Sequence, residues 1–167
     1  MAITRFLLPF TGSINAPALA YAVQFAAYHR ATLVPLALIR VKPNKAARLE
    51  RIQQAQDFLE LARRKAERQG VPIEQARVYT SDVARSIEAI AGEMRCEAVI
   101  IFLCTTEEMF LASTEISELM DHAACNAHIV LLSGGRERKH PLHIPLLKRL
   151  DERKTRTKSG ALIDTLT

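Results

Sequence analysis

The run Ala98–Cys104 (AVIIFLC) decides the fold, because it is the most hydrophobic segment of the chain and contains no charged residue. A strand that is apolar at successive positions is typical of a parallel sheet covered by helices on both faces. Apolar residues at helical spacing flank this run, from Val83 to Met94 before it and from Ala112 to Ala123 after it. The pattern predicts a central strand between two amphipathic helices.

The same alternation extends over the rest of the chain up to Leu132. Apolar runs predict four further strands, at Ile3–Phe10, Thr32–Val41, Ile73–Thr80 and His128–Leu132. Helical spacing predicts helices between them, and the longest of these is Lys45–Gln69. Gly70 is a typical C-terminal residue for that helix, and Ser81 or Asp82 can cap the next one.

Strands separated by helices predict right-handed crossovers and an α/β fold. The simplest arrangement is a five-stranded, doubly wound parallel sheet in the order 3-2-1-4-5, with helices on both faces. Pro35 conflicts with this arrangement, because a proline inside a strand removes a hydrogen-bond donor of the ladder. We therefore expect a bulge or an edge-like position at Pro35.

Length and composition fit a globular domain. The chain has 167 residues, of which 49% are hydrophobic and 25% charged, the usual balance of a soluble protein. No apolar run reaches the roughly 18 residues of a transmembrane helix, and residues 1–9 lack the features of a signal peptide. Cys96, Cys104 and Cys125 form no CxxC pair, which favours a reducing compartment over a disulfide scaffold. We therefore expect a cytoplasmic protein.

The net charge of +5 belongs to the C-terminal tail, residues 134–167. Residues 1–135 contain 14 basic and 14 acidic side chains, whereas residues 136–167 contain 9 basic and 4 acidic ones. The α/β domain is therefore predicted at 1–133. The basic, partly apolar tail is interpreted as a solvated extension, as an arm packing on a dimer partner, or as a segment binding nucleic acid or anionic lipid. It has no aromatic residue to stack on bases, so nucleic acid is not an expected partner.

A doubly wound sheet binds ligands outside the carboxyl ends of its strands, where the strand order reverses. In the predicted order this reversal lies between strands 1 and 4. Two loops border it, Thr11–Ala16 after the first strand and Thr105–Ser113 after the fourth. Binding chemistry is expected in these loops.

Three stretches of the chain together resemble the universal stress proteins. They are 5–39 (RFLLPFTGSINAPALAYAVQFAAYHRATLVPLALI), 80–102 (TSDVARSIEAIAGEMRCEAVIIF) and 116–132 (ISELMDHAACNAHIVLL). The resemblance covers roughly residues 3–133. It implies a flavodoxin-like or adenine-nucleotide α-hydrolase-like layering, homodimerisation, a stress or regulatory role and, in one branch of the family, ATP binding.

The nucleotide-binding branch of that family has an Asp in the first turn and a Gly-x2-Gly-x9-Gly-Ser/Thr loop after the fourth strand. Glycines let backbone N–H groups approach phosphates closely. In this chain Thr11 stands at the Asp position, and no glycine lies between Gly92 and Gly134. Glu107 and Glu108 add negative charge where phosphates would lie. The resemblance therefore implies the branch without the usual triphosphate loop.

The polar residues of the two loops are the candidate ligand-binding residues. They are Thr11, Gly12, Ser13, Thr105, Thr106, Ser113 and Thr114. Ser113 and Thr114 have a second interpretation, because a Ser or Thr before a helix is commonly its N-cap. The pair Glu107–Glu108 is interpreted as solvated, with a water-bridged cation as the alternative.

The sequence predicts neither a metal site nor catalysis. Cys104 and Cys125 are interpreted as buried thiols, with redox sensing by Cys104 as the alternative. His122, Cys125 and His128 would be three ligands across a helix end and a strand, but the family's own His-Ala-x-Cys turn accounts for two of them. No Ser-His-Asp or Cys-His arrangement is suggested by local spacing.

The sequence as a whole predicts a non-catalytic, homodimeric stress-response protein that binds partner proteins or a small ligand and has no resident cofactor. One alternative is a nucleotide sensor that binds ATP, AMP or a cyclic nucleotide or dinucleotide between strands 1 and 4, and another is a weak ATP hydrolase. An apolar edge strand without Lys or Glu is a template for pairing. The expected dimer interface is therefore the last strand, which consists of His128, Ile129, Val130, Leu131 and Leu132.

Overall fold

The computed structural model describes residues 3–41, 45–103, 110–121 and 128–133, over which strands and helices alternate. The elements are β1 (Arg5–Phe10), α1 (Ala16–Tyr28), β2 (Thr32–Arg40), α2 (Lys45–Arg68), β3 (Ala76–Thr80), α3 (Val83–Glu93), β4 (Ala98–Leu103), α4 (Ser113–Asp121) and β5 (His128–Ser133). The C-terminal tail, residues 134–167, lies outside the described residues.

The strands form a parallel sheet in the order β3-β2-β1-β4-β5. From β1, the chain adds β2 and then β3 towards one edge, and it returns to add β4 on the other side of β1. The strand order therefore reverses between β1 and β4. The predicted α/β class, with a parallel sheet and helices, is confirmed.

Helices cover both faces of the sheet, and each face has its own apolar core. On one face, α1 and α2 pack against the sheet, with Phe58 of α2 fully buried. On the other face, α3 and α4 contribute Ile87 and Leu119. Successive side chains of a strand point to opposite faces, so Leu8 of β1 belongs to the first core and Leu7 to the second. A strand buried on both faces needs apolar residues at successive positions, as β1 has over 6–10, β2 over 33–39 and β4 over 98–103.

Pro35 lies inside β2 without a bulge, because the pairing of β2 with β1 continues in register past it. The N–H of Leu33 donates to the carbonyl of Pro72, in the segment before β3. Because the backbone groups of alternate residues in a strand point to the same side, the backbone of Pro35 also faces β3. The pairing with β3 is interrupted there, between the bridge Leu33↔Ile73 and the first pair of β3, Leu36↔Ala76. The expectation of a bulge was wrong, and the edge-like environment exists on the β3 side alone.

Two helix signals in the sequence are confirmed. Gly70 adopts φ +65° just after α2, and its N–H donates to the carbonyl of Glu67 at 3.2 Å. The N–H of Val71 donates to the carbonyl of Ala66 at 2.9 Å, which completes the left-handed helix ending that glycine favours. Asp82 is the N-cap of α3.

β1 and β4 separate towards their carboxyl ends. Their pairing ends at Leu7↔Val99. The carbonyl of Arg5 accepts from the N–H of Glu97, so alternate residues of β1, including Pro9, face β4. Pro9 has no N–H to donate, and it therefore cannot continue this ladder. The sheet opens at the point where its strand order reverses.

Candidate functional site

A crevice of about 300 Å³ lies at the carboxyl ends of β1 and β2, beside the start of α4. Its walls come from the loop after β1, the end of β2, α2 and the segment 110–115. The lining residues are Thr11, Gly12, Ser13, Arg40, Arg51, Phe110, Leu111, Ala112, Thr114 and Glu115. The volume is at the lower end of the range for small-molecule sites, and a doubly wound sheet binds its ligands in this region.

The carbonyl of Phe110 holds the loop after β1 in place. It accepts from the N–H of Thr11 at 2.6 Å and from the N–H of Gly12 at 3.2 Å. The hydroxyl oxygen of Thr11 lies 3.1 Å from the same carbonyl oxygen. These bonds connect the loops that follow β1 and β4, so the two segments that border the predicted site are in contact.

The ring of Phe110 packs against rings from both β1 and β4, in the apolar core on the α1–α2 face of the sheet. It lies 6.0 Å from the ring of Phe10 at the end of β1 and 5.4 Å from that of Phe102 in β4. Phe58 of α2 completes the cluster, because its ring stacks on Phe10 at 4.2 Å and lies 5.5 Å from Phe110. An aromatic cluster therefore joins the ends of β1 and β4 to α2, and the open crevice lies beside it.

Glu115 is a buried carboxylate at the base of the crevice, with only 5% of its side chain exposed. Its Oε2 accepts from the Thr11 hydroxyl at 2.6 Å and from the Ala112 N–H at 2.9 Å. Its Oε1 accepts from Nε and Nη2 of Arg40 at 3.0 and 2.8 Å. Burying a carboxylate is unfavourable unless hydrogen bonds and an opposite charge replace its water, and these four bonds connect the loop after β1, the end of β2 and α4.

The two arginines of the crevice have different environments. The charge of Arg40 is balanced by Glu115, although 35% of the Arg40 side chain remains exposed. Arg51, on α2, forms no ion pair with any residue in the ranges that the structure describes. Its guanidinium is therefore the lining charge that no described carboxylate balances.

The structure brings together some of the candidate ligand-binding residues. Thr11, Gly12, Ser13 and Thr114 line the crevice. Ser113 is exposed and is not among the lining residues. Thr105 and Thr106 lie outside the described residues, as do Glu107 and Glu108.

The interpretation of Ser113 or Thr114 as the N-cap of α4 was wrong. The helix begins at Ser113, and the carbonyl of Ala112 accepts the first helical bond, from Ile116 N–H at 3.0 Å. Ala112 is therefore the N-cap, and it has no side-chain oxygen. The Glu115 carboxylate accepts from the N–H of Ala112 instead, as the third helical residue does in a capping box.

Three charged residues of the crevice were missed by the sequence analysis: Arg40, Arg51 and Glu115. Arg40 carried a usable signal, because it is the first charged residue after nine uncharged ones and ends a buried strand at the ligand-binding edge. Glu115 also carried one, since it is the third residue of a helix at that edge. Arg51 lies on a long helix with many charges and had no comparable signal.

The other candidate chemistry of the sequence lies largely outside the described residues. Cys104, His122 and Cys125 are among the residues that the structure does not describe, and Cys96 is buried. Within the described ranges, no group of three or more His, Cys, Asp or Glu side chains could hold a metal ion. No helix in that part of the chain is both long and apolar enough to cross a membrane.

The fold and the place of the crevice define a doubly wound α/β protein with a candidate ligand site beside the strand-order reversal. Solved structures of universal stress proteins match this chain. One from Burkholderia pseudomallei has a TM-score of 0.61 and 21% identity, over 77% of this chain and 95% of that one. One from Archaeoglobus fulgidus in complex with dAMP has a TM-score of 0.58 and 14% identity, over 78% and 97%. One from Arabidopsis thaliana with AMP bound has a TM-score of 0.52 and 11% identity, over 79% and 92%.

The resemblance to universal stress proteins that the sequence indicated is confirmed by these structures. At such low identities the likeness establishes the fold. No protein-family model matches the chain, and no curated protein matches it.

Proposed function

We propose that this chain is a non-catalytic regulatory protein of the universal stress protein type, acting in the cytoplasm, whose crevice binds a nucleoside monophosphate. The observation that carries the proposal is Arg51, because this residue lines the crevice and no described carboxylate balances its charge. The likeness of the fold to proteins with AMP or dAMP bound supports a nucleotide as the ligand.

The chemistry of the crevice supports binding over catalysis. Its lining contains no His, Cys or Asp among the described residues, and its only carboxylate there is Glu115. Both oxygens of Glu115 already accept hydrogen bonds from Thr11, Ala112 and Arg40. A carboxylate held in this way is poorly placed to take a proton from a substrate, so we propose no reaction for this site.

A single phosphate suits the crevice better than a triphosphate. Its volume is about 300 Å³, and its described lining offers one unbalanced positive charge, that of Arg51. The region after β4 has no glycine with which to wrap a polyphosphate. We therefore expect the dissociation constant of ATP with Mg²⁺ to exceed roughly 100 μM.

Replacing Arg51 by Gln is expected to weaken AMP binding about tenfold to one hundredfold, because a hydrogen bond to a charged group contributes about 1.5–3 kcal/mol. Isothermal titration calorimetry with AMP, on the wild type and on Arg51→Gln, measures the difference. The matched control is Arg48→Gln, since Arg48 lies one turn away on α2, stacks on Tyr79 and does not line the crevice. Equal losses in the two variants, or none in Arg51→Gln, would contradict the role of Arg51.

We also propose that the protein is a homodimer that pairs through β5. This strand is bonded to β4 along one side, and no described strand lies along its other side. Its sequence has four consecutive apolar residues, 129–132, and no Lys or Glu. Isologous antiparallel pairing would satisfy the edges of both copies, and the apolar tail that follows would extend the contact.

Light scattering at low micromolar concentration tests the dimer. We expect twice the monomer mass for the full chain, and weaker association for a chain that ends at Gly135, because the tail carries apolar residues that the partner would cover. A full-length monomer would rule out the dimer. A shortened chain that dimerises as tightly as the full chain would leave the dimer intact and remove the tail from it.

A further inference from the structure

We infer that Glu115 is a specificity-determining residue that occupies a second anion position in the crevice, so that the site accepts a nucleoside monophosphate and rejects a diphosphate. The inference rests on the proposed function, since it concerns the ligand of the same crevice. The charges of Arg40, Arg51 and Glu115 carry this inference, and it does not depend on the absence of glycine after β4.

The groups around Glu115 are those that bind a phosphate oxyanion. Its two oxygens accept four hydrogen bonds, from a hydroxyl, a backbone N–H at a helix start and two nitrogens of one guanidinium. Arg, hydroxyl and helix-start N–H groups are the usual donors to phosphate. The residues that donate these bonds all line the crevice: Thr11, Arg40 and Ala112. The carboxylate therefore stands where a second phosphate would find its donors.

Burial makes this occupation persistent. The side chain of Glu115 is 5% exposed, whereas that of its partner Arg40 is 35% exposed. A carboxylate so deeply buried cannot turn into solvent without leaving the donors of Arg40, Thr11 and Ala112 unpaired. A second phosphate would therefore have to displace the Glu115 carboxylate from these donors or bind next to its negative charge.

The two arginines thus have separate tasks. Arg51 is available for one anionic group, and Arg40 is already engaged by Glu115. A β-phosphate next to a bound α-phosphate would meet the Glu115 carboxylate, and like charges at short range repel strongly where water is partly excluded. Removing the charge of Glu115 would free Arg40 and convert the crevice into a site with two available guanidinium groups.

Calorimetric titration of the full chain with AMP and with ADP, without Mg²⁺, tests the inference. The wild type is expected to bind AMP at least about tenfold more tightly than ADP, and Glu115→Gln is expected to bring the two affinities within about threefold of each other. Glu118→Gln is the matched control, because Glu118 is exposed on the same helix and outside the crevice. It should keep the wild-type preference.

A second variant, Glu115→Leu, removes the charge in a different way, since leucine refills the buried space with apolar atoms in place of an amide. Equal affinities of the wild type for AMP and ADP, or an unchanged preference in whichever Glu115 variant gives a native circular dichroism spectrum, would overturn the inference.

Titration with inorganic pyrophosphate distinguishes a failure of this inference from a failure of the proposed function. A wild type that binds no nucleotide defeats the proposed function, yet pyrophosphate binding by the Glu115 variants and not by the wild type would still support the role of Glu115. If the Glu115 variants did not bind pyrophosphate, the proposed role of Glu115 would be refuted.

Discussion

Replacing Phe110 by Ala is expected to lower the free energy of unfolding by about 3–5 kcal/mol, the range for removing a buried aromatic ring. Phe110 is 2% exposed, and its ring contacts Phe10, Phe58 and Phe102. These rings come from β1, α2 and β4. The substitution therefore leaves a cavity next to the part of β1 that is no longer hydrogen-bonded to β4. Urea denaturation followed by circular dichroism measures the loss.

Tyr28→Ala is the control for Phe110→Ala, because Tyr28 is an aromatic residue with 71% exposure. Its replacement is expected to change the free energy of unfolding by about 0.5 kcal/mol or less. A Phe110→Ala variant that is as stable as this control would mean that Phe110 does not hold the aromatic cluster of β1, α2 and β4 together.

Replacing Glu115 by Ala is expected to cost about 2–4 kcal/mol, because the substitution leaves Arg40, the Thr11 hydroxyl and the Ala112 N–H without their acceptor. The loss is below the maximum for a fully buried ion pair, since the Arg40 side chain is 35% exposed and water can solvate its guanidinium. The same denaturation experiment measures it.

Glu118→Ala serves as the control, since Glu118 is exposed on the same helix and its loss should stay within about 0.5 kcal/mol. The double variant Arg40→Ala/Glu115→Ala is expected to be more stable than the sum of the single losses implies, because the two residues interact directly. Additive losses, or a Glu115→Ala variant as stable as the Glu118→Ala control, would contradict the buried network.

The fold was predictable because its signals are local in sequence. The apolar run that begins at Ala98, the glycine at position 70 and the cap at Asp82 each report on a few neighbouring residues, and each is found as expected. Pro35 shows the limit of such signals. Its tolerance depends on an interruption of the pairing with β3, which no residue near Pro35 reveals.

The site was predictable only in part, because its chemistry joins residues far apart in the chain. Thr11 was expected at the crevice from its loop, but its partner Glu115 is 104 positions away. Arg40 and Glu115 are separated by 75 positions. The N-cap error at Ser113 and Thr114 has a local origin instead, since the capping bond joins Ala112 and Glu115, which are three positions apart. A helix start can be recognised locally, but a buried ion pair across the sheet cannot.

The central claim is that the crevice beside the strand-order reversal binds a nucleoside monophosphate, and an NMR titration of the ¹⁵N-labelled full chain with AMP tests it most directly. The amide resonances of Gly12, Ser13 and Thr114, which line the crevice, are predicted to shift progressively and to saturate. The amide of Gln69, just beyond the far end of α2, is predicted to stay unchanged. Crevice resonances that do not move at saturating AMP, or shifts confined to other parts of the molecule, would contradict the account.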